Sequence, residues 1–314
     1  MTTTNNKLNI VFFGTSEFAA IILNKILLAT NYQLLAVVTQ PDKPVGRKKT
    51  LTPSPVKILA QQHSLPILQP EKLDITFTAT LKLLNADLFI VVAYGKIIPQ
   101  DIIDLPLYKT INVHPSLLPR YRGPSPIQFA LLNGETQTGV SIMLIDKKMD
   151  HGPIISNFQF PISNNDTYST LSKKLAEHSA KLLIETIPDY ISGKIKPQPQ
   201  NHHQATFSKI IIKENGLITA DKTAQQIYNM WRAYQPWPEI YLEFRIKNKE
   251  SRIKLLDIKL SNLVDQKNSS LELFTKDKNL YLQCADNTVL QINQLQLIGK
   301  NKMDAKSYIN GYLK

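Results

Sequence analysis

Residues 8–39 read LNIVFFGTSEFAAIILNKILLATNYQLLAVVT, and this stretch determines the class of fold. An apolar run begins at Leu8 and ends at Gly14, which is typical of a buried parallel strand. The run Phe18–Leu28 is apolar on more than one side and predicts a helix with Ser16 as its N-cap. A second apolar run, Leu34–Thr39, completes a strand–helix–strand unit. The turn after the first strand lacks the Gly-x-Gly-x-x-Gly spacing, so no dinucleotide site is predicted there.

The same alternation of strands and helices continues toward residue 191. Apolar runs predict further strands near Ile67 and at Ala86–Ala93, Thr110–His114, Val140–Ile145 and Ile154–Ile162, with the last pairing back against the one before it. Helical spacing predicts helices at Val56–Gln62, Leu73–Leu84, Pro126–Leu132 and Thr167–Ile191. This order predicts an α/β fold with an open, mostly parallel sheet and helices on both faces. Ligands of such sheets bind beyond the carboxyl ends of the strands.

The strand that ends at His114 carries candidate catalytic side chains. Asn112 and His114 are two residues apart, so both point to the same face of a strand. Asp150 follows the next strand in the series, and a carboxylate there would orient the imidazole and favour its protonated form. An amide NH₂ beside a cationic imidazole can stabilise a developing oxyanion. This set suits direct transfer of a carbonyl group to an external nucleophile.

Other interpretations of these residues stay open on spacing alone. Asn112 and His114 could simply end a strand with satisfied polar groups, and Asp146 rivals Asp150 as the carboxylate. A serine or cysteine nucleophile is not indicated, because Ser116 has no evident second base and Cys284 lies in another part of the chain. With one cysteine, the sequence predicts neither an internal disulfide nor a multi-cysteine metal site.

The segment Gln40–Pro55 contains four prolines and a glycine, which predict an irregular loop. Its basic side chains are Lys43, Arg47, Lys48 and Lys49. The loop either grips phosphates or is a solvated, mobile stretch of surface.

The net charge of +12 favours a polyanionic partner or simply keeps the protein in solution. The apolar runs are too short to span a bilayer and the start lacks the apolar core of a signal peptide, so a cytoplasmic protein without membrane contact is expected.

Composition predicts a catalytic domain at 1–192, a linker at 193–206 and a second domain at 207–314. The linker is polar and proline-containing, and we interpret His202 and His203 as linker residues. Short strands are predicted after it at Ile240–Phe244, Ile253–Leu260, Leu271–Phe274, Leu280–Cys284 and Val289–Leu297, with helices at Ala224–Tyr234 and Ala305–Leu313. This spacing favours a small β-barrel or sandwich. A basic five-stranded barrel of the OB type is a common nucleic-acid platform.

Several motifs together resemble the folate-dependent formyltransferases. They are Asn112-Val-His-Pro-Ser-Leu-Leu-Pro119, Tyr121-Arg-Gly123, Thr138-Gly-Val140 and Asp150-x-Gly152. The segments Gln40–Lys49 and Arg232–Pro238 are similar to those of members of this family that act on aminoacyl-tRNA. The resemblance implies a Rossmann-like catalytic domain and a catalytic trio of Asn112, His114 and Asp150.

The resemblance also implies the substrates. The donor would be 10-formyltetrahydrofolate, used without a metal and contacted by Ser116, Leu117, Leu118 and Pro119. The acceptor would be the α-amine of methionyl initiator tRNA, engaged by Arg47 with Lys43, Lys48 and Lys49 and by the second domain. A monomer is expected.

The sequence departs from the family's pattern at Pro115, at Lys48 and at the pair Glu239-Ile240. Two rival functions remain, which are a folate enzyme acting on a small amine or on water, and an RNA-binding protein with an inactive folate-like domain.

Overall fold

The computed structural model describes residues 7–46, 48–246, 249–264 and 271–313. The chain divides into two compact units. The first comprises Met1–Pro126, Gln137–Pro161 and Ser172–Lys209, and the second comprises Ile127–Thr136, Ile162–Leu171 and Ile210–Lys314. Residues 193–206 thus group with the first unit. The division into separate domains that end at residue 192 and begin at residue 207 stays a prediction.

The first unit is built on a seven-stranded sheet in the order β5-β2-β1-β6-β7-β8-β9. Its strands are β1 (Leu8–Gly14), β2 (Tyr32–Val38), β5 (Ile67–Leu68), β6 (Leu88–Val92), β7 (Thr110–His114), β8 (Gln137–Leu144) and β9 (Ile154–Pro161). Neighbours from β5 to β7 are parallel, whereas β7–β8 and β8–β9 are antiparallel. The predicted mostly parallel sheet is confirmed, as is the pairing of β9 back onto β8.

Helices connect these strands as the alternating pattern predicted. They are α1 (Glu17–Leu27), α2 (Pro55–Gln62), α3 (Ile75–Leu83), α4 (Gln100–Ile103), α5 (Pro126–Leu132) and α6 (Tyr168–Ile191). Ser16 caps α1 as predicted, because its hydroxyl accepts a hydrogen bond from the Ala19 amide at 3.4 Å. The short helix α4 was not predicted.

The centre of the sheet is closely packed around aromatic side chains. Every residue of β6 is buried. Phe13 of β1 lies against Phe89 of β6 and Tyr94, with ring centroids 5.3 and 5.6 Å apart. Burial of side chains of this size contributes about 1.5–3 kcal/mol each. The carboxyl ends of the central strands therefore lie on a closely packed apolar core.

The expectation of an irregular loop at Gln40–Pro55 was wrong. Two short strands, β3 (Lys43–Val45) and β4 (Thr50–Thr52), form an antiparallel hairpin there. Pro44 is tolerated because a two-stranded hairpin consists only of edge strands, where a missing N–H need not interrupt a ladder. Gly46 has φ +72°, the left-handed region that glycine adopts readily in turns. Arg47 lies outside the described residues.

The second unit contains an antiparallel sheet in the order β10-β11-β14-β13-β12, with β15 paired to β14. The strands are β10 (Ile240–Ile246), β11 (Lys249–Ser261), β12 (Leu273–Lys276), β13 (Asn279–Gln283), β14 (Val289–Leu297) and β15 (Met303–Asp304), with helices α7 (Ala224–Ala233) and α8 (Ala305–Tyr312). The five predicted strands are present. Closure of this sheet into a barrel stays a prediction. In the part of the chain that the structure describes, no helix is both long and apolar enough to cross a membrane.

Candidate active site

Asn112 and His114 lie at the carboxyl end of β7, between the parallel strand β6 and the antiparallel strand β8. Asn112 is paired in register with Val91, and His114 with Ser141. Asn112 is partly buried, whereas only 4% of His114 is exposed. The polar end of β7 therefore lies where open α/β sheets bind their ligands.

Asp150 lies in the loop between β8 and β9 and approaches both side chains. Its Oδ1 is 3.6 Å from His114 Nδ1 and 3.4 Å from Asn112 Nδ2. Its Oδ2 accepts a hydrogen bond of 2.7 Å from the Gly123 amide. One carboxylate is thus shared by an amide, an imidazole and a backbone N–H.

The ring of His114 is held from its other side. His114 Nε2 is 2.9 Å from the carbonyl oxygen of Tyr121. Because a carbonyl oxygen only accepts, Nε2 carries a proton and donates it to this bond. The remaining nitrogen, Nδ1, faces Asp150, so the ring orientation is set by groups on both sides.

The rival carboxylate, Asp146, has a different partner. Its Oδ2 is 2.7 Å from His151 Nδ1. Of the two acidic residues in this loop, Asp150 is therefore the one that faces His114 in the structure.

Two glycines permit the close contacts around Asp150. A Cβ at Gly152 would lie 2.0 Å from the Leu144 carbonyl oxygen, which no substituted residue could tolerate without a shift of backbone. Gly123 has φ +105°, and a Cβ there would lie 2.6 Å from the Ser208 carbonyl oxygen. The two glycines of the Tyr121-Arg-Gly123 and Asp150-x-Gly152 motifs thus let the segments on either side of the Asp150 carboxylate pack closely against the backbone of Ser208 and Leu144.

The segment predicted to contact folate, Ser116 to Pro119, is anchored by its own polar groups. The buried Ser116 hydroxyl donates to the Arg120 carbonyl at 2.6 Å. Ser141 Oγ donates to the Ser116 carbonyl at 2.8 Å and accepts from the Leu118 amide at 3.1 Å. Leu117 and Pro119 are partly exposed and Leu118 is buried, so Leu117 and Pro119 are the apolar side chains of this segment open to a ligand.

The described lysines of the basic hairpin, Lys43, Lys48 and Lys49, are exposed. Lys43 Nζ contacts Gln40 Oε1. The base of the hairpin is held by Asp42, whose carboxylate pairs with Lys57 at 2.8 Å and accepts from Gln69 Nε2 at 2.9 Å. The hydrogen bond from Lys57, followed by that from Gln69, lowers the pKa of Asp42 from its ordinary value. Among the described residues, no group of three or more His, Cys, Asp or Glu side chains could hold a metal ion.

Two residues near Asp150 were not predicted to matter. The buried Arg122 donates from Nε and Nη2 to Gln200 Oε1, at 3.2 and 2.7 Å. Burial lowers the pKa of Arg122, an effect that the nearby charges of Asp150 and Asp146 oppose. Arg122 lies within the Tyr121-Arg-Gly123 motif, and a buried arginine needs a hydrogen-bond acceptor. Sequence spacing could not predict that this acceptor is Gln200, which lies in the polar segment that was interpreted as a linker.

Comparisons with known proteins cover both units. The family model "Formyl transferase" matches residues 8–187, and "Formyl transferase, C-terminal domain" matches residues 210–313. A methionyl-tRNA formyltransferase from Caldicellulosiruptor saccharolyticus is 43% identical over 308 residues, which cover 97% of each chain. One from Listeria monocytogenes is 39% identical over 303 residues, covering 96% of this chain and 95% of that protein.

A solved structure shows the same fold at lower identity. The N-formyltransferase from Helicobacter canadensis, in complex with folinic acid and dTDP-3-aminofucose, is 21% identical with a TM-score of 0.65. The alignment covers 91% of this chain and 98% of that one.

Proposed function

The chain belongs to the formyl transferase family, and on that basis we propose that it formylates the α-amine of methionyl initiator tRNA with 10-formyltetrahydrofolate. Its product is formylmethionyl-tRNA for translation initiation. The observation that carries this proposal is 43% identity along almost the whole chain, the C-terminal domain included, to a protein named for that reaction.

In the proposed reaction the amine nitrogen bonds to the formyl carbon, and the bond from that carbon to N10 of the folate then breaks. The carbonyl oxygen becomes negative in the tetrahedral intermediate. Asn112 Nδ2 and a protonated His114 Nδ1 donate to that oxygen. Both atoms lie within 3.6 Å of Asp150 Oδ1, at 3.4 and 3.6 Å, so the two donors are close to each other. Catalytic hydrogen bonds are often long in a free enzyme and tighten when substrate binds.

One proton must leave the amine and one must reach N10 of the folate as it departs. Asp150 faces His114 Nδ1 and accepts the amine proton directly or through water. The Gly123 amide, 2.7 Å from Asp150 Oδ2, keeps the second carboxylate oxygen occupied, so Oδ1 is the oxygen that takes part. A proton relayed from this group to N10 completes the transfer with no net change in the enzyme.

The folate donor fits the apolar part of the site. Leu117 and Pro119 offer partly exposed apolar surface in the segment that follows His114 in the chain, while Ser116 and Leu118 hold this segment in place. The H. canadensis N-formyltransferase of the same fold was solved with folinic acid, a formylated folate.

The negative charge of a tRNA acceptor is complementary to the positive charge of the protein. Lysines of the β3–β4 hairpin are exposed, and the net charge is +12. Basic groups of this kind bind phosphates with little dependence on sequence. We assign the hairpin, with Arg47, to the acceptor end and the second unit to the body of the tRNA, acting as a monomer.

The proposal is tested by following radiolabelled formyl from the folate donor to methionyl initiator tRNA. Label should become precipitable with charged tRNA and should be released as formylmethionine when the ester is hydrolysed. Uncharged tRNA is the control, because it lacks the amine. Equal labelling of charged and uncharged tRNA, or of neither, would contradict the proposed function.

A further inference from the structure

We propose that Gln200 is a positioning residue that sets the backbone of Asp150 and so the place of its carboxylate. This inference rests on the proposed function, in which Asp150 works with His114. It concerns a residue from the segment interpreted as a linker, well outside the strand ends that carry the trio.

The side-chain amide of Gln200 uses all of its hydrogen-bonding capacity. Nε2 donates to the carbonyl oxygens of Asp150 and Gly152, at 3.0 and 2.7 Å. Oε1 accepts from Arg122 Nε and Nη2. An amide has two donor hydrogens and two acceptor lone pairs, so none is left over.

The orientation of this amide is determined by its neighbours. A flipped amide would place its NH₂ against the guanidinium donors of Arg122 and its oxygen against two carbonyl oxygens. Gln200 is only 6% exposed, so water could not replace the lost bonds. The amide therefore ties two chain segments together in one arrangement.

Both of those segments determine the position of the Asp150 carboxylate. One segment is the Asp150 loop itself, where Asp150 has φ +50°, a backbone conformation that non-glycine residues seldom adopt. The other contains Arg122, which precedes Gly123, the residue whose amide donates to Asp150 Oδ2. Gln200 thus links the backbone that carries the carboxylate to the donor that orients it.

The chain on either side of Gln200 reinforces this link. Gln198 exchanges backbone hydrogen bonds of 2.8 and 2.7 Å with Ile154, just beyond the Asp150 loop. On the other side, the Arg122 amide donates to the Thr206 carbonyl at 2.9 Å, and the Ser208 amide donates to the Arg122 carbonyl at 2.7 Å. The segment from 198 to 208 therefore spans both parts of the site, and Gln200 is its buried side-chain contact with both.

Catalytic geometry of this kind is sensitive to small displacements. A misplacement of about 1 Å can reduce a rate roughly a hundredfold. Without Gln200 the carbonyls of Asp150 and Gly152 lose their donor, and the loop can relax from its left-handed conformation. The carboxylate would then move away from His114 while the surfaces that bind folate and tRNA stay in place.

The test compares Gln200→Ala with Gln200→Glu, using the full-length protein. Gln200→Glu keeps the acceptor for Arg122 and the size of the side chain but replaces the two donor hydrogens with oxygen. The matched control is Gln204→Ala, an exposed glutamine of the same segment. We expect single-turnover formylation to fall about tenfold or more in both Gln200 variants, with KM for folate and for tRNA within about twofold and Gln204→Ala unchanged.

A double-mutant cycle with Asp150→Asn separates positioning from general support of the fold. If Gln200 acts through Asp150, then Gln200→Glu should cost nothing further in the Asp150→Asn background. Equal rate losses in both backgrounds, or a wild-type rate in Gln200→Glu, would overturn the inference. These results are distinct from a failure of the proposed function, in which the unmodified protein itself would not formylate methionyl-tRNA.

Discussion

At the scale of single residues, the geometry of the site converges on Asp150. Its carboxylate faces Asn112 and His114 and accepts from the Gly123 amide. The spacing of Asn112 and His114 was enough to predict that the two side chains share a face, because strand side chains alternate. The contacts from Gly123 N–H and Tyr121 C=O could not be predicted, since every residue type supplies these backbone groups.

Removal of either proposed oxyanion donor should slow the chemical step. We expect Asn112→Ala and His114→Ala to reduce single-turnover formylation by on the order of a hundredfold or more, as loss of one oxyanion donor does elsewhere. The measurement is rapid-quench formylation of charged initiator tRNA at saturating folate.

His63→Ala, which removes an exposed histidine at the end of α2, is the control for that experiment and should keep the wild-type rate. Near-normal rates in Asn112→Ala and His114→Ala would remove both residues from the mechanism.

Gly152→Ala should impair the site by displacing the backbone of the Asp150 loop. The added Cβ would lie 2.0 Å from the Leu144 carbonyl oxygen, so the Asp150 loop must shift. We expect a lower melting temperature and a rate loss of more than about tenfold, because displacement of a catalytic group by about 1 Å is enough for such a loss. Gly311→Ala is the control, since nothing lies within 4 Å of its Cβ. Equal melting temperatures and equal rates in Gly152→Ala and Gly311→Ala would argue against close packing of the Asp150 loop at Gly152.

At the scale of elements, the β3–β4 hairpin differs from the irregular loop that its sequence predicted. Prolines were interpreted as breaking regular structure, yet a hairpin of two edge strands accommodates Pro44. The contacts at its base, from Asp42 to Lys57 and Gln69, join residues 15 and 27 positions apart. The fold of the chain brings these residues together, and local composition does not predict such contacts.

The hairpin is expected to act in tRNA engagement and not in chemistry. Arg47→Ala should raise KM for charged tRNA, leave folate binding unchanged and make the slope of log(kcat/KM) against log[salt] shallower by about one. Steady-state kinetics over a range of salt concentrations measure all three quantities.

Lys82→Ala, at an exposed lysine of α3, is the control for charge alone. An unchanged rate of Arg47→Ala at limiting tRNA would mean that the hairpin is only a solvated surface feature.

At the scale of the whole molecule, the positions of the strands along the chain were more predictable than contacts between residues distant in sequence. Buried strands such as β1 and β6 were predicted within a few residues because continuous apolar runs mark them. The hydrogen bond between Arg122 and Gln200 joins residues 78 positions apart, and sequence spacing does not predict contacts at such a separation. The same limit explains why residues 193–206 were interpreted as a linker, although they group with the first unit.

Cys284 offers a reporter for the second unit. It is the chain's single cysteine, is 2% exposed, and burial raises the pKa of its thiol to about 12. Because the thiolate is the reactive form, we expect no labelling by a thiol reagent in the native protein at pH 8 over minutes. One thiol per chain should react after unfolding in guanidinium. Rapid labelling without denaturant would contradict the burial of this strand end.

The central claim is that the acceptor amine belongs to methionyl-tRNA and not to a small molecule. The most direct measurement is a competition in which radiolabelled 10-formyltetrahydrofolate is offered methionyl initiator tRNA, glycinamide ribonucleotide and a nucleotide-linked amino sugar together. We predict that the label is found in methionyl-tRNA, with kcat/KM for either small amine lower by at least about a thousandfold, since the site has to recognise the phosphates and not the amine alone. Comparable transfer to a small amine, or labelling of the small amines with none on methionyl-tRNA, would contradict the account.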